Sequence, residues 1–463
     1  MKQVSREHIA YWMGVFSFYS LMALFVLVAI PYGSAEPWWK AVFQCLVFTL
    51  AGLVVIQKLL WKNSTASEYG LLLPIIALIA FALLQTVPWS HHSVAGIEDI
   101  KQTLSADASQ TRLFILQLSA LVLAGWLLVV HTTTRTRLRF LTELIIAVGV
   151  ISAGFGLLRQ LSQGSAGFGL PYLRAQYGYA QFINRDHFAF MIEMVLGLTL
   201  GIVVCGGVRG VRFAVYLLVA IPMWVALVLS NSRGGILSML CQVLILAYLA
   251  GTRLTNRRLS SKEAPEPPGK LQRGRVRSLA LRLVLIIALL ASAVVGVFVV
   301  GGDPLLRKLD ATSAELDPKT AESYTLRLNI WQATWALIKD HPFAGAGFGG
   351  YWIAITKYHH ATGEITPQQA HSDYLELAAS GGVIGIGLGI WFVAAFVRAA
   401  GRKLMIADQN NRPATLGALT GIITVAIHSL VDFGLHITIN TLLLTTLMAI
   451  VLINVKEERI VAS

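Results

Sequence analysis

The chain has 463 residues, of which 56% are hydrophobic and 13% charged, with a formal net charge of +13 and a mean hydropathy of +0.66. Soluble domains carry about 25% charged residues, so an ordinary soluble globular fold is excluded and an all-α polytopic membrane protein is expected. Cys45, Cys205 and Cys241 all fall in apolar runs without CxxC or Cys/His spacing, which excludes a disulfide framework and makes them buried packing residues.

Runs of about 17–25 apolar residues can each span a bilayer. The first five lie near 11–31, 38–60, 70–88, 113–131 and 138–158. The first is too long for a cleaved signal peptide, and "IPYGSAEPWW" behind it is a poor cleavage site. A loop over 159–186 carries Arg159, Arg174 and Arg185 and leads to spans near 187–205 and 211–229. The tight connection "SNSRGG" (230–235) holds Arg233 and opens a span near 235–250. The linker 251–280 is Pro-rich and basic, and a ninth span follows near 281–300.

Residues 301–372 form one long loop, and loops of that length generally carry function. Within it, Asp317 and Pro318 start a helix over about 318–340, which Pro342 stops. Tyr324, Leu328, Trp331, Trp335 and Ile338 make one stripe on it. The stripe reads as a face lying on lipid or as a core face, with Arg327 beside it. "HPFAGAGFGGYW" lacks the GK[ST] of a nucleotide loop and reads as a sharp return to the membrane. Next comes "HSDYLELAASGGVIGIGLGIWF", a span near 373–397 with His371 and Asp373 at its mouth. Gly381, Gly385 and Gly389 are spaced by four, as in close helix–helix packing. The last spans lie near 414–432 and 437–455, and "HSLVDFGLHI" between them holds His428, Asp432 and His436. That group reads as a supporting network or a structural cluster.

About twelve spans result: nine with short loops over 1–300, the loop 301–372, and three over 373–463. With the N-terminus in the cytoplasm, 24 of the 37 Lys and Arg face the cytoplasm. The positive-inside rule then puts both termini in the cytoplasm and the loop 301–372 outside. The basic excess reads as attraction to anionic membrane lipids, not to nucleic acid. On the outer face stand several arginines and one histidine at a helix mouth. Guanidinium suits bidentate capture of phosphate, although an arginine at a bilayer edge also snorkels. Imidazole, with an ordinary pKa near 6.5, suits taking a proton from a hydroxyl. His359, His360 and His371 match no zinc spacing, so no metal is expected, and His359 and His360 read as loop residues. A secondary transporter would place its ionisable groups near the midplane and show repeats, which this chain does not.

Four segments, in order, resemble the O-antigen ligase and polymerase superfamily: "AQFINRDHFAFMIE", "LSNSRGGILS", "RLNIWQATWALIKDHPFAGAGFGGY" and "AHSDYLELAASGGVIG". Asp186 and Ser372 stand where asparagine is common in that family. The resemblance implies a GT-C-like, metal-independent inverting glycosyltransferase of the bacterial inner membrane, with a periplasmic active site and no cofactor. It implies an undecaprenyl-pyrophosphate-linked glycan donor and, as acceptor, the lipid A core or another glycan; the first makes a ligase, a second lipid-linked repeat a polymerase. Carried over by position, Arg233 and Arg327 would bind pyrophosphate with help from Arg174, and His371 would activate the acceptor hydroxyl. Asp373, Arg185, His428 and Asp432 would support them.

Overall fold

In the computed structural model, residues 2–30, 32–61, 69–94, 97–162, 173, 178–260, 291, 327–359, 367–406 and 411–455 are described. The helices are α1 Lys2–Ala29, α2 Pro37–Trp61, α3 Leu72–Gln85, α4 Ala108–His131, α5 Arg135–Leu161, α6 Arg185–Val204, α7 Val211–Leu229, α8 Arg233–Ser260, α9 Arg327–Asp340, α10 Asp373–Ile406, α11 Arg412–His428 and α12 Thr438–Leu452. Eight of these are long and apolar enough to cross a membrane among the described residues. The protein is an all-α polytopic membrane protein. Every expected span appears as a helix except the run 281–300, which, residue 291 apart, lies outside the described residues. So do Arg174, the linker over 261–280 and the first part of the expected helix 318–340.

Polar side chains set several helix starts. Asp107 accepts the N–H groups of Ser109 and Gln110 to cap α4, Thr134 caps α5, and Asn184 caps α6. Around α6 the bundle is built: every residue from His187 to Val204 is buried, and α5, α7, α8, α11 and α12 pack on it. Without a hydrophobic force between helices in lipid, small residues let backbones approach. A Cβ on Gly197 would lie 2.6 Å from Gly421 Cα, and one on Gly201 would collide with Gly417. The closest helix pair is therefore α6 on α11, through two glycines on each.

The glycines of α10 do something else, contrary to the close-packing expectation. Gly381 and Gly385 make room for the ring of Phe348, and Gly389 for Leu377 of its own helix. At Gly382, with φ 59° and ψ −157°, α10 breaks. The backbone groups freed by the break are taken by the loop after α9. Ala346 and Gly347 donate to the carbonyls of Ala379 and Ser380, at 2.8 and 3.0 Å. Val383 and Ile384 donate back to Pro342 and Phe343, at 2.9 and 3.2 Å. Gln85, at the end of α3, donates to Ala344 and Ser380 and accepts from the Phe348 N–H. The loop "HPFAGAGFGG" is thus a plug seated in a broken helix.

Three further expectations change. A two-stranded antiparallel hairpin, β1 Pro88–Val94 and β2 Ile97–Thr103, follows α3; its polar, His-rich sequence hid it. Cys45 is exposed on α2, while Cys205 is buried and Cys241 half-buried, so the three thiols are not alike. On α9 the buried face is Ile330, Ala333, Thr334 and Leu337. Of the stripe, Trp335 is exposed at 54%, Leu328 and Trp331 are half-buried, and Ile338 packs against the buried cluster, so the stripe borders the buried face.

Candidate active site

The starts of α6, α8 and α10 meet the turn between α11 and α12 at one end of the bundle. Asp186 is the second residue of α6, its N–H held by Asn184 Oδ1 at 2.9 Å, and its side chain bonds the Ser232 hydroxyl just before α8. Opposite stands Asp432, whose Oδ1 accepts the Phe433 N–H at 2.8 Å. Between the two carboxylates lies Arg327, the first described residue of α9. Its Nη2 is 3.2 Å from Asp432 Oδ2 and 3.6 Å from Asp186 Oδ2. The guanidinium remains 32% exposed while Asp432 is 2% exposed, so the cation has one open side. Burial first, then the Asp186 charge beside it, pushes the Asp432 carboxyl up despite Arg327.

His371 stands at the mouth of α10 in a left-handed conformation, φ 51°. For a residue with a Cβ this costs about 1–2 kcal/mol, so its neighbours must hold it. The Ala370 N–H donates to Glu376 Oε2 at 3.1 Å. On the other side the Asp373 N–H donates to the carbonyls of Ser429 and Asp432, at 3.1 and 3.2 Å. The imidazole packs edge-on against Phe433, centroids 4.7 Å apart, and its Nδ1 has no partner among the described residues. Burial, then the positive charge of Arg327, lowers it to about 4, so the ring is neutral near pH 7. The Phe433 ring also meets His187 and His436, with centroids 5.0 and 6.0 Å away.

His436 lies 3.1 Å from Glu376 and 3.9 Å from Asp373. Burial opposes its charge, but Glu376 and Asp373 outweigh burial and raise it to about 9. Deeper in, His428 Nδ1 meets Glu193 Oε2 at 3.0 Å with both side chains fully buried. Ser238 bonds the same carboxylate, and Phe190 stacks on the imidazole at 4.0 Å. Gly234 packs so closely on the His428 ring that a Cβ would overlap it.

Of the residues singled out in the sequence, Arg327, His371, Asp373, Asp432 and His436 come together directly. Arg233 is exposed at the first residue of α8, between Ser232 and Gly234, and so borders the cluster. Arg185 opens α6 one residue before Asp186. His428 lies one layer below, on Glu193. His359 is buried, at 6% exposure, rather than exposed in a loop, while His360 lies outside the described residues.

Ser232, Glu376, Phe433 and Glu193 belong to the same network, and sequence reasoning passed over them; Asp186, noted in the sequence only as standing where asparagine is common, belongs to it too. The signal existed for Glu193: a carboxylate inside an apolar run demands a partner.

Three helix N-termini bring the positive ends of their dipoles to this cluster, beside Arg327 and Arg233. Such an arrangement favours anions.

Residues 218–390, from the middle of α7 to beyond the break in α10, match the family model of O-antigen ligase. Over that stretch the chain is similar to O-antigen ligase. Arg233, Arg327 and His371 lie inside the matched stretch, while Asp186 and Asp432 lie outside it. No curated protein matches the O-antigen ligase-like chain.

Proposed function

We propose that the cluster around Arg327 and His371 transfers a glycan from a polyprenyl-pyrophosphate donor to an acceptor sugar at the periplasmic face. The observation that carries this reading is one cation with an open side, Arg327, next to a neutral imidazole with an unpartnered nitrogen, at the mouth of a strained helix start. In the absence of donor, Asp432 and Asp186 hold Arg327. A pyrophosphate takes the open side of the guanidinium, with Arg233 and the N-termini of α6 and α8 contributing to the anion's field. Arg174 is assigned to the donor by resemblance alone.

In the transfer step the acceptor hydroxyl oxygen bonds to the anomeric carbon as the bond from that carbon to the pyrophosphate oxygen breaks. The configuration inverts, the hydroxyl proton passes to His371, and the leaving polyprenyl pyrophosphate keeps the electron pair. Negative charge grows on the leaving group, so positioned guanidiniums favour the transition state over the ground state. Burial is the main cause that lowers His371, and Arg327 adds to it; an anion on Arg327 offsets that second part and makes the imidazole a better base when the donor is bound. No metal or cofactor enters this step.

The acceptor assigned is the lipid A core, which makes the protein an O-antigen ligase. A deletion strain's lipopolysaccharide profile tests this. Loss of all O-antigen from the core is expected; a single repeat unit left on the core would instead make the protein a polymerase, and an unchanged profile would remove both.

A further inference from the structure

At the end of the bundle opposite the candidate active site, α3, α4, α10 and α12 enclose a cavity of about 500 Å³. Its size lies within the roughly 300–1,000 Å³ of small-molecule sites. The walls are apolar, formed by Ile75, Val122, Trp126, Phe392, Leu444 and Met448, and the rim carries Arg398, Arg402 and Lys403. Among the described residues, no acidic side chain lines it. Arg398 and Arg402 are exposed and one helical turn apart, so both guanidiniums rise from the same face of α10. Lys403 is held at the rim by Asn454, at the end of α12.

An apolar chamber among membrane helices with a cationic mouth matches an amphiphile with an anionic head. We propose that this cavity binds an anionic glycerophospholipid of the bilayer, its acyl chain between α4 and α12 and its phosphate on Arg398 and Arg402. Basic pockets between helices at a membrane surface take anionic headgroups in this way. A polyprenyl pyrophosphate donor shares the chemistry, but its phosphate would sit roughly 40 Å along α10 from His371. That distance places it out of reach of the reaction centre, whereas a structural phospholipid belongs at that surface. The lipid would bridge α10 to α4 and α12, the helices that face one another across the cavity. The choice of a phospholipid over the donor rests on the reaction centre proposed above, while the cavity and its cationic rim do not.

The full chain, purified in neutral detergent, is titrated with phosphatidylglycerol, phosphatidylcholine and undecaprenyl phosphate while thermal stability and lipid retention by native mass spectrometry are followed. Phosphatidylglycerol is expected to bind and raise the melting temperature, and phosphatidylcholine to do so much less. Each basic contact at a lipid surface is worth about five-fold in affinity. The double variant Arg398→Gln/Arg402→Gln should therefore bind phosphatidylglycerol about 25-fold more weakly. Ala395→Trp, which fills the chamber and leaves the charges, should also lose binding. Should the charge variant not fold, Ala395→Trp decides alone. Equal phosphatidylglycerol affinity in the wild type and Ala395→Trp overturns the proposal. So does retention of undecaprenyl phosphate in preference to phosphatidylglycerol, which would make the site a prenyl-lipid site.

Discussion

Histidines 371 and 436 both pack against Phe433 and are pushed in opposite directions. His371 is buried beside a guanidinium and, among the described residues, has no ion pair with a carboxylate, so it stays neutral down to about 4. His436 has Glu376 at 3.1 Å and stays charged up to about 9. The signs for stability follow. The raised His436 contributes stability that is fully present below its unfolded value near 6.5 and is lost as pH rises through 9. The depressed His371 works the other way, its contribution present above 6.5 and lost as pH falls towards 4. Thermal unfolding of the purified protein from pH 6.5 to 9.5 is therefore expected to show a decline that His436→Gln removes. An identical decline in the variant would mean that the ion pair with Glu376 contributes nothing. His371 and Arg327 were legible in the sequence because a helix mouth and an amphipathic helix mark them. Asp186 was not, because a carboxylate one residue past a capping asparagine looks like ordinary helix-start chemistry. Only the fold reveals that it shares Arg327 with Asp432, which is 246 positions away in the chain.

At the scale of helices, the apolar runs were readable because a span must be apolar throughout, and polar residues cap several of the starts. What a glycine does was not readable. Gly197, Gly201, Gly417 and Gly421 carry the same four-residue spacing as Gly381, Gly385 and Gly389, yet the first set packs two backbones together and the second accommodates the side chains of Phe348 and Leu377. Spacing specifies a face and leaves its partner open. Gly201→Leu must separate α6 from α11 and with them the layer that holds Glu193 against His428. Uncovering one partner of such a buried pair costs about 3–5 kcal/mol, so the variant is expected not to accumulate as folded protein in detergent. Gly387→Leu, where a Cβ would meet nothing within 4 Å, should express and melt as the wild type does. Equal behaviour of the two would contradict the glycine crossing. The plug in α10 was likewise out of reach of the sequence: three positive-φ glycines, Gly345, Gly347 and Gly349, announce a turn without saying that it docks into a broken helix.

Across the whole molecule the account needs the Arg327 cluster outside the cytoplasm and the basic linker inside it. Impermeant thiol labelling of single-cysteine variants, in a background lacking Cys45, Cys205 and Cys241, reads this directly. His360→Cys is expected to label in intact cells, and Pro265→Cys only after the membrane is opened. The reverse pattern would put the cluster on the cytoplasmic side and end the periplasmic proposal. The central claim is that His371 takes the acceptor proton beside an Arg327-bound pyrophosphate. Its most direct test is glycan transfer from a polyprenyl-pyrophosphate-linked donor to a core acceptor by purified wild type and His371→Ala in liposomes, with donor binding followed in parallel. A lost general base costs about 10²–10⁴-fold in rate, so His371→Ala should bind donor, melt near the wild-type temperature and transfer glycan at least 100-fold more slowly. Transfer by His371→Ala at the wild-type rate would contradict the account.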